Sequence, residues 1–180
     1  MEPQNIAMAS RSRDRRPHDY YPTPKEVTQV LLDFLHIPRN LKIWECACGQ
    51  DHMVNVMRLY GYDVIATDIA RGEDFLRMDC PPGVDWIITN PPFSASEQFI
   101  ERCVHHDLPF ALLLKSQYWH ASRRLNIFEE HPPAFVLPLT WRPDFTGQGA
   151  SLMDVMWCVW DGNSRKCLTI YKPLARPAKH

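Results

Sequence analysis

The sequence predicts an α/β fold in which a doubly wound, mostly parallel sheet is closed at its C-terminal end by an antiparallel hairpin. Short apolar runs of strand length alternate with segments whose apolar residues recur at helical spacing. The run Phe110–Lys115 is apolar almost throughout, which is typical of a central parallel strand. Two final apolar runs, Val155–Trp160 and residues 168–171, have no helical pattern between them and are predicted to pair as the hairpin.

Composition indicates one soluble domain. The chain has 180 residues, 45% of them hydrophobic and 23% charged, and its net charge of −1 gives no overall basic field. Its six cysteines and eight histidines show no ligand spacing, so we predict reduced thiols, no metal and a cytoplasmic protein. No signal peptide or membrane-spanning run is apparent.

We predict three segments: a basic tail over residues 1–18, a catalytic domain over 19–172 and a second tail over 173–180. The first tail is either a solvated arm or a phosphate contact.

The first predicted helix follows an aromatic and proline-rich segment. Thr23 is placed to cap this helix, and Pro24 would occupy its first position. Apolar residues between 27 and 35 recur at helical spacing and give the helix one buried face. Capping does not explain the preceding Tyr20-Tyr21 pair. Because amides at a helix N-terminus attract anions, this turn could also hold a carboxylate.

The next segment has the order of a nucleotide-binding unit. A strand over residues 41–46 leads into a small-residue turn over 47–51, and the strand after the following helix ends at Asp68. Asp68 lies close to 20 residues beyond that turn, where Rossmann-like folds place an acid that accepts from ribose hydroxyls. Since there is neither a GxGxxG motif nor a phosphate-binding run, a ligand with ribose and adenine but no phosphate fits best. Alternatively, Asp68 is only a turn residue.

A second acid and an amide extend this site. We predict that Asp79 accepts from an adenine amino group, with Asp74 as the alternative. The run over residues 85–90, predicted as the fourth strand, ends at Asn90. Ligands of open α/β sheets bind at the carboxyl ends of the strands, so Asn90 should lie near Asp68.

The remaining predicted elements complete the sheet. A helix over residues 94–106 is capped by Ser94 or Ser96, and another helix passes through Arg123 and ends before Pro132-Pro133. A short strand covers residues 135–137. The polar, glycine-containing loop over 140–151 is either a substrate contact or an ordinary connection.

The tetrapeptide Asn90-Pro91-Pro92-Phe93 is suited to holding an exocyclic amino group. The Asn90 amide and the Pro91 carbonyl offer two acceptors, which would draw the hydrogens of one NH2 group toward the protein and localise its lone pair. Phe93 could stack on the ring that bears this group. The alternative is an ordinary proline-rich turn after a strand.

Together these segments resemble small phage-type or prophage-type DNA adenine-N6 methyltransferases of the class I, Rossmann-like superfamily. The resemblance spans about residues 19–171. It implies S-adenosylmethionine as the cofactor and a DNA duplex with a flipped-out adenine as the substrate. The order of the motifs is similar to the gamma arrangement of amino-methyltransferases. The segments that carry the resemblance are Tyr21-Pro22-Thr23-Pro24, residues 44–49, Thr67-Asp68 and Asn90-Pro91-Pro92-Phe93, with 112–115 and 156–160 matching in type.

The resemblance also implies roles for particular residues. Asn90, Pro91, Pro92 and Phe93 would be catalytic. Independently of the resemblance, local basic and aromatic residues predict nucleic-acid contacts at Arg123, Arg124, Trp141 and Arg142, although each charge alone is also explained as a solvated surface group. The predicted cofactor-binding residues are Tyr21, Thr23, Pro24, Glu45, Cys46, Ala47, Cys48, Gly49, Asp68, Asp79 and Asn90.

The sequence departs from the family pattern in two ways. Asp51 stands where the family usually has a glycine, and it could meet the amino group of the cofactor or weaken binding. Little chain remains for a recognition domain, so specificity is either loose or depends on a partner or second subunit, with monomer and dimer both possible.

The alternative functions are methylation of guanine N2 in RNA or of a protein glutamine amide, a cofactor-binding module without turnover, and a structural phage protein. Cytosine-N4 enzymes commonly carry serine instead of Asn90, and Cys80 does not follow a proline as the nucleophile of cytosine-C5 enzymes does.

Overall fold

The computed structural model describes residues 21–149, 153–162 and 168–178. The predicted N-terminal tail therefore lies outside the described residues. Within these ranges, seven strands form a single sheet. The strands are β1 (Lys42–Glu45), β2 (Asp63–Ala66), β3 (Trp86–Thr89), β4 (Phe110–Lys115), β5 (Phe135–Pro138), β6 (Val155–Trp160) and β7 (Ile170–Tyr171). Their spatial order is β2-β1-β3-β4-β6-β5-β7.

The first four strands are parallel, and helices cover both faces of the sheet. Along β4 the buried side chains alternate: Ala111 and Leu113 belong to one core and Leu112 and Leu114 to the other. This alternation follows from the two-residue period of a strand and makes the sheet doubly wound, as predicted. The helices are α1 (Lys25–Leu35) and α2 (His52–Leu59) on the first core, α3 (Ser96–His106) on the second, and α4 (Leu125–Glu130).

The antiparallel end of the sheet confirms the predicted fold class but corrects one pairing. β6 lies between β4 and β5 and is antiparallel to both, so β5 and β6 form the hairpin. The run over residues 168–171 was predicted to pair with β6. Instead, Ile170 in β7 pairs in parallel with Phe135 in β5. Both edges of β6 are already occupied, so β7 can add only to the outer edge of β5.

Three local predictions are also corrected. Residues 69–82 contain a 3-10 turn, Ile69–Arg71, and no strand, so the predicted fourth strand is the third. Neither serine caps α3, because Ala95 is its N-cap and Ser96 donates its hydroxyl to the Phe93 carbonyl at 3.1 Å. The helix predicted through Arg123 starts as one 3-10 turn, Ser122–Arg124, and becomes α4 only at Leu125.

The folded chain extends past the predicted domain boundary at residue 172. Leu174 is buried, and its amide donates to the Pro138 carbonyl at 2.8 Å. Its carbonyl accepts from the Thr140 amide at 3.0 Å. A further tie joins Arg176 to Glu26 of α1 at 3.0 Å. These contacts fasten the start of the predicted C-terminal tail to the sheet.

The strand order places a crevice between β1 and β3. From β1 the chain first adds β2 on one side and later returns to add β3 on the other. Ligands of open α/β sheets bind where the order reverses in this way, outside the carboxyl ends of the strands. Among the described helices, none is both long and apolar enough to cross a membrane.

Candidate active site

A cavity of about 710 Å³ opens at this reversal point. Its size is that of a pocket for a nucleoside-sized or larger small molecule. Glu45 ends β1, Asp68 follows β2 and Asn90 follows β3, so three strand ends bring these side chains to one cavity. Nine of the predicted cofactor residues line it: Tyr21, Thr23, Glu45, Cys46, Ala47, Cys48, Gly49, Asp68 and Asn90.

Asp68 joins the end of β2 to the turn after β1. Its carboxylate accepts from the Gly49 amide at 2.7 Å and from the Ala70 amide at 2.8 Å. Gly49 has a φ of 51°, a conformation that glycine adopts without strain. Because a carboxylate has about four acceptor positions, Asp68 retains capacity for hydroxyl groups of a ligand.

Glu45 is a buried carboxyl on the floor of the cavity, only 1% exposed. Its Oε1 atom accepts from the Ala47 amide at 3.1 Å. Burial raises the pKa of Glu45 to about 7, the neighbouring Asp68 and Asp51 charges add to this increase, and the Thr89 hydroxyl and the Ala47 amide oppose it. No cationic side chain of the described residues pairs with Glu45. A buried acid facing an open cavity is therefore suited to a cationic group of a ligand.

The thiols in the cavity wall are neutral. Burial raises the pKa of Cys48 to about 12, and it raises that of Cys46 well above the ordinary value of 9.0. A thiol is a poor nucleophile compared with a thiolate. Cys46 and Cys48 therefore supply a small apolar lining rather than covalent chemistry.

Asp51 does not line the cavity but stabilises the turn after β1 through Arg71. Both of its carboxylate oxygens accept from Arg71 Nη2 at 2.9 Å, and the same nitrogen donates to the Gly49 carbonyl at 3.0 Å. Although desolvation opposes the change, the hydrogen bonds from Arg71 and Cys48 lower the pKa of Asp51. Asp51 has a φ of 63°, and aspartate is one of the few residues other than glycine that adopt this conformation readily. Asp51, at the position where the family usually has glycine, is thus held by an ion pair with Arg71.

We expect Asp51→Ala to destabilise the protein more than Asp51→Gly does. Both variants lose the ion pair with Arg71, but only alanine must adopt a positive φ, which costs about 1–2 kcal/mol. Urea unfolding of both variants measures the difference. Equal stability of the two variants would show that backbone conformation at this position has no energetic weight.

The Asn90 side chain is held in one orientation by the segment before α1. Its Nδ2 atom donates to Thr23 Oγ1 at 3.0 Å and to the Tyr21 carbonyl at 3.4 Å. A carbonyl can only accept, so the amide nitrogen must face Tyr21 and the amide oxygen must point elsewhere. That oxygen, Oδ1, is buried and has no donor among the described residues. Buried polar atoms without partners are rare and indicate either strain or a missing ligand group.

Thr23 therefore has a different local role from the predicted one. It does not cap α1, whose N-cap is Pro24 and whose first turn has no side-chain capping hydrogen bond. Pro24 was predicted at the first helical position, but its extended ψ of 142° places it just before the helix. The Thr23 hydroxyl is turned toward Asn90, which is 67 residues away in sequence.

An aromatic group adjoins Asn90. Pro91 and Pro92 line the cavity, whereas Phe93 packs beside it, with its ring centroid 5.7 Å from that of Tyr21. Tyr21 in turn contacts the buried Phe145 edge-on at 6.2 Å. Tyr21 thus connects the 140–149 loop to the tetrapeptide that the sequence predicts to be catalytic.

That loop has its own internal support. The Asp144 carboxylate accepts from the Thr146 amide and hydroxyl and from the amides of Gly147 and Gly149, at 2.6–3.0 Å. The Thr146 hydroxyl is the largest cause that lowers the pKa of Asp144. The described part of the loop is therefore preorganised, with Phe145 inward and Gln148 exposed at its tip.

The structure does not bring every predicted residue to the cavity. Asp79 is fully exposed and 4.0 Å from Arg102, so the geometry does not support its assignment to the adenine. Asp74, the alternative, does line the cavity together with Phe75 and Leu76. Pro24 is absent from the lining, and its carbonyl accepts the first hydrogen bond of α1.

The predicted nucleic-acid residues have mixed positions. Arg142 is exposed but is paired with Asp154 at 2.7 Å. Arg124 is mostly buried, lies over the Tyr118 ring at 4.0 Å and donates to the Tyr118 carbonyl at 2.8 Å. Trp141 packs half-buried against the core, and Arg123 lies in a turn with its side chain outside the described residues. The two described arginines are therefore already committed to partners within the protein.

Sequence reasoning also missed residues of the cavity wall. Some of them follow the strand-end acid or begin α2, positions at which parallel-sheet geometry alone would have indicated a contact with the ligand. The apolar Phe75 and Phe99 carry no such signal, because their spacing only indicates a core. The lining residues without a predicted role are Pro22, Gln50, His52, Met53, Ile69, Ala70, Phe75, Leu76, Ala95 and Phe99.

Comparison with known proteins defines the fold. No protein-family model matches the chain, and no curated protein sequence does either. Solved structures do match. A type I restriction-modification methyltransferase subunit from Streptococcus thermophilus is 14% identical with a TM-score of 0.62, over 85% of this chain and 47% of that one. A putative class I S-adenosylmethionine-dependent methyltransferase from Listeria monocytogenes is 14% identical with a TM-score of 0.61. That match covers 91% of this chain and 68% of the Listeria chain.

A third similar structure is a putative RNA methyltransferase from Pyrococcus horikoshii. It is 15% identical with a TM-score of 0.62, and the match covers 82% of this chain and 90% of that one. By contrast, the match spans about half the length of the S. thermophilus subunit. The fold is that of the class I, Rossmann-like methyltransferases, as the sequence predicted.

Proposed function

We propose that this chain is an S-adenosylmethionine-dependent methyltransferase that acts on an exocyclic amino group, namely N6 of adenine in DNA. The observation that carries the proposal is the buried Asn90 Oδ1 atom, which has no donor among the described residues while its amide nitrogen is held by Thr23 and Tyr21. An amino group of a substrate would supply the missing donor. The fold and the sequence resemblance give the cofactor class.

The residues of the cavity fit this cofactor. When bound, S-adenosylmethionine supplies a methyl group activated by a sulfonium. Glu45 would hold the cationic amino group of its methionine end, which compensates the burial of the carboxylate. Asp68 would accept from the ribose hydroxyls, and Asp74 and Phe75 would border the adenine. No phosphate-binding loop is needed, consistent with the absence of a phosphate in this cofactor.

The tetrapeptide would orient the amino group of the target. Asn90 Oδ1 and the Pro91 carbonyl accept its two hydrogens, so that the nitrogen lone pair points toward the cofactor side of the cavity. Phe93 stacks on the base, which must leave the duplex to reach this position. The bound cofactor would transfer its methyl group by direct displacement, with S-adenosylhomocysteine as the leaving group. The residues of the tetrapeptide would contribute positioning, and the methylated nitrogen would lose its proton afterwards. Neither a cysteine nucleophile nor a strongly basic group is required.

Three substrate classes share this chemistry, and one experiment separates them. Tritiated S-adenosylmethionine is incubated with the protein and, in parallel, with unmethylated duplex DNA, RNA and a protein mixture. Enzymatic digestion and mass spectrometry then identify the labelled group. We expect N6-methyladenine in DNA. Label on guanine in RNA or on a glutamine amide would overturn the assignment to DNA, and cofactor binding without label on any substrate would overturn the proposal of an enzyme.

We expect Thr23→Val to lower the rate of methyl transfer about fivefold and Thr23→Ser to retain it. Valine has the shape of threonine but cannot accept from Asn90 Nδ2, and one net hydrogen bond is worth roughly 1 kcal/mol. The measurement is kcat under saturating cofactor and DNA, with cofactor affinity determined separately. If the two variants lost kcat equally, the hydroxyl would not be the group that orients Asn90.

A further inference from the structure

Lys115 places a positive charge at the predicted base-stacking residue. It ends β4, and its Nζ atom lies 4.6 Å from the centroid of the Phe93 ring, over its face. Lys115 is half-buried, and none of the ion pairs of the described residues involves it. By contrast, Arg71, Arg124 and Arg142 each lie within 4 Å of a carboxylate oxygen. Among the described residues, the partner of the Lys115 cation is thus an aromatic ring and not an acid.

A planar base cannot stack on the face of Phe93 that Lys115 covers unless the ammonium leaves. The aromatic neighbour of Phe93 is Tyr21, which is held in place. Tyr21 packs on the buried Phe145, and its carbonyl accepts from Asn90. Lys115 has a long flexible stem, and its ammonium has no hydrogen bond within the part of the chain that the structure describes, so it is the neighbour that can be displaced. Its charge then requires a new partner at the same place.

We propose that the flipped base displaces Lys115 from Phe93 and that the ammonium pairs with a backbone phosphate of the target nucleotide. This inference rests on the proposed function, because it assigns the backbone contact of the same site. A nucleotide that brings a base to Phe93 also brings a phosphate on the same sugar, so one substrate supplies both the displacing group and the new partner for the charge. A protein glutamine substrate would supply neither.

The test compares Lys115→Met with Lys115→Arg and with a matched control. Methionine keeps apolar volume without charge, and arginine keeps the charge. Lys172 also lies over a phenylalanine, 5.0 Å from the Phe34 ring centroid, and this phenylalanine is not part of the Asn90-Pro91-Pro92-Phe93 tetrapeptide. Lys172→Met therefore removes an equivalent cation–π contact away from the site. Binding to a 20-base-pair DNA duplex is measured by anisotropy between 50 and 200 mM salt, in the presence of S-adenosylhomocysteine.

Neutralising one phosphate contributes about 0.9 to the slope of log affinity against log salt for duplex DNA. We expect Lys115→Met to reduce this slope by about one, while Lys115→Arg and Lys172→Met leave it unchanged. The affinity for S-adenosylhomocysteine should stay constant in all variants. A wild-type slope in Lys115→Met, or an equal loss in Lys172→Met, would overturn the phosphate assignment. Failure of the proposed function is seen separately, as absence of DNA methylation by the wild-type protein.

Discussion

Asn90→Ala is expected to lower kcat for methyl transfer by about two to three orders of magnitude. The variant removes the acceptor that localises the lone pair of the target nitrogen, and loss of one preorganised polar group at a reacting centre typically has this effect. The amide is held by Thr23 and by the Tyr21 carbonyl before substrate binds, so its orientation costs nothing during the reaction. Single-turnover methylation of duplex DNA is the measurement.

A matched control distinguishes catalysis from folding. Asn55 is an exposed asparagine on α2, and Asn55→Ala removes the same chemical group from a surface without a ligand. We expect Asn55→Ala to retain full activity. Thermal unfolding and cofactor affinity of Asn90→Ala should remain close to those of the wild type. An Asn90→Ala protein that methylates DNA at the wild-type rate would refute the proposed mechanism.

Glu45→Gln is expected to weaken S-adenosylmethionine binding by about two to three orders of magnitude. Glutamine keeps the oxygen that accepts from the Ala47 amide but cannot balance the buried ammonium of the ligand. Breaking a buried ion pair by removing one partner costs roughly 3–5 kcal/mol. Isothermal titration calorimetry at pH 8 measures the effect. Exposed Glu101 on α3 provides the control variant Glu101→Gln, which should bind the cofactor normally.

Glu45→Gln weakens cofactor binding but should raise the free energy of unfolding of the ligand-free protein at pH 8. The pKa of Glu45 rises from 4.5 to about 7 on folding, so the folded protein holds a proton that the unfolded chain loses between these values. Wild-type stability without ligand therefore falls by on the order of 3 kcal/mol as the pH rises from 4.5 to 7, and Glu45→Gln should lack this decrease. Urea unfolding at pH 5 and pH 8 compares the two proteins.

Cofactor binding by the wild type should depend on pH for the same reason. Binding of a cation requires Glu45 to be ionised, so affinity should fall by nearly tenfold per pH unit below about 7. Glu45→Gln should bind weakly at every pH in this range. A wild-type affinity that stays constant between pH 5.5 and pH 8 would show that Glu45 is not the partner of the ammonium.

Much of the site was predictable because it depends on sheet geometry. Glu45, Asp68 and Asn90 each stand at or just beyond the end of an apolar run, and parallel strands place such ends at one edge. The convergence of these three residues follows from strand assignment alone. Equally, the unbroken apolar character of β4 identified a central strand, and the structure has it with the same bounds.

The remainder depended on contacts that local patterns do not encode. Thr23 before a proline and a helical pattern is fully explained as a cap, so nothing in the sequence indicated its hydrogen bond to Asn90. The pairing of β7 was missed because consecutive strands usually pair, whereas both edges of β6 were already occupied. Asp79 and Asp74 are both acids after Asp68, and only packing determines which of them faces the cavity.

The indole of Trp157 connects β6 to α1, two elements that are far apart in the sequence. Its Nε1 atom, buried in β6, donates to the Val27 carbonyl of α1 at 2.9 Å, across 130 residues of sequence. Tyr21 and Thr23, which orient Asn90, immediately precede α1. During translation, the segment before α1 therefore lacks this support until Trp157 has left the ribosome. A nascent chain shortened before Trp157 would carry every residue of the tetrapeptide and still lack the support that keeps its amide in place.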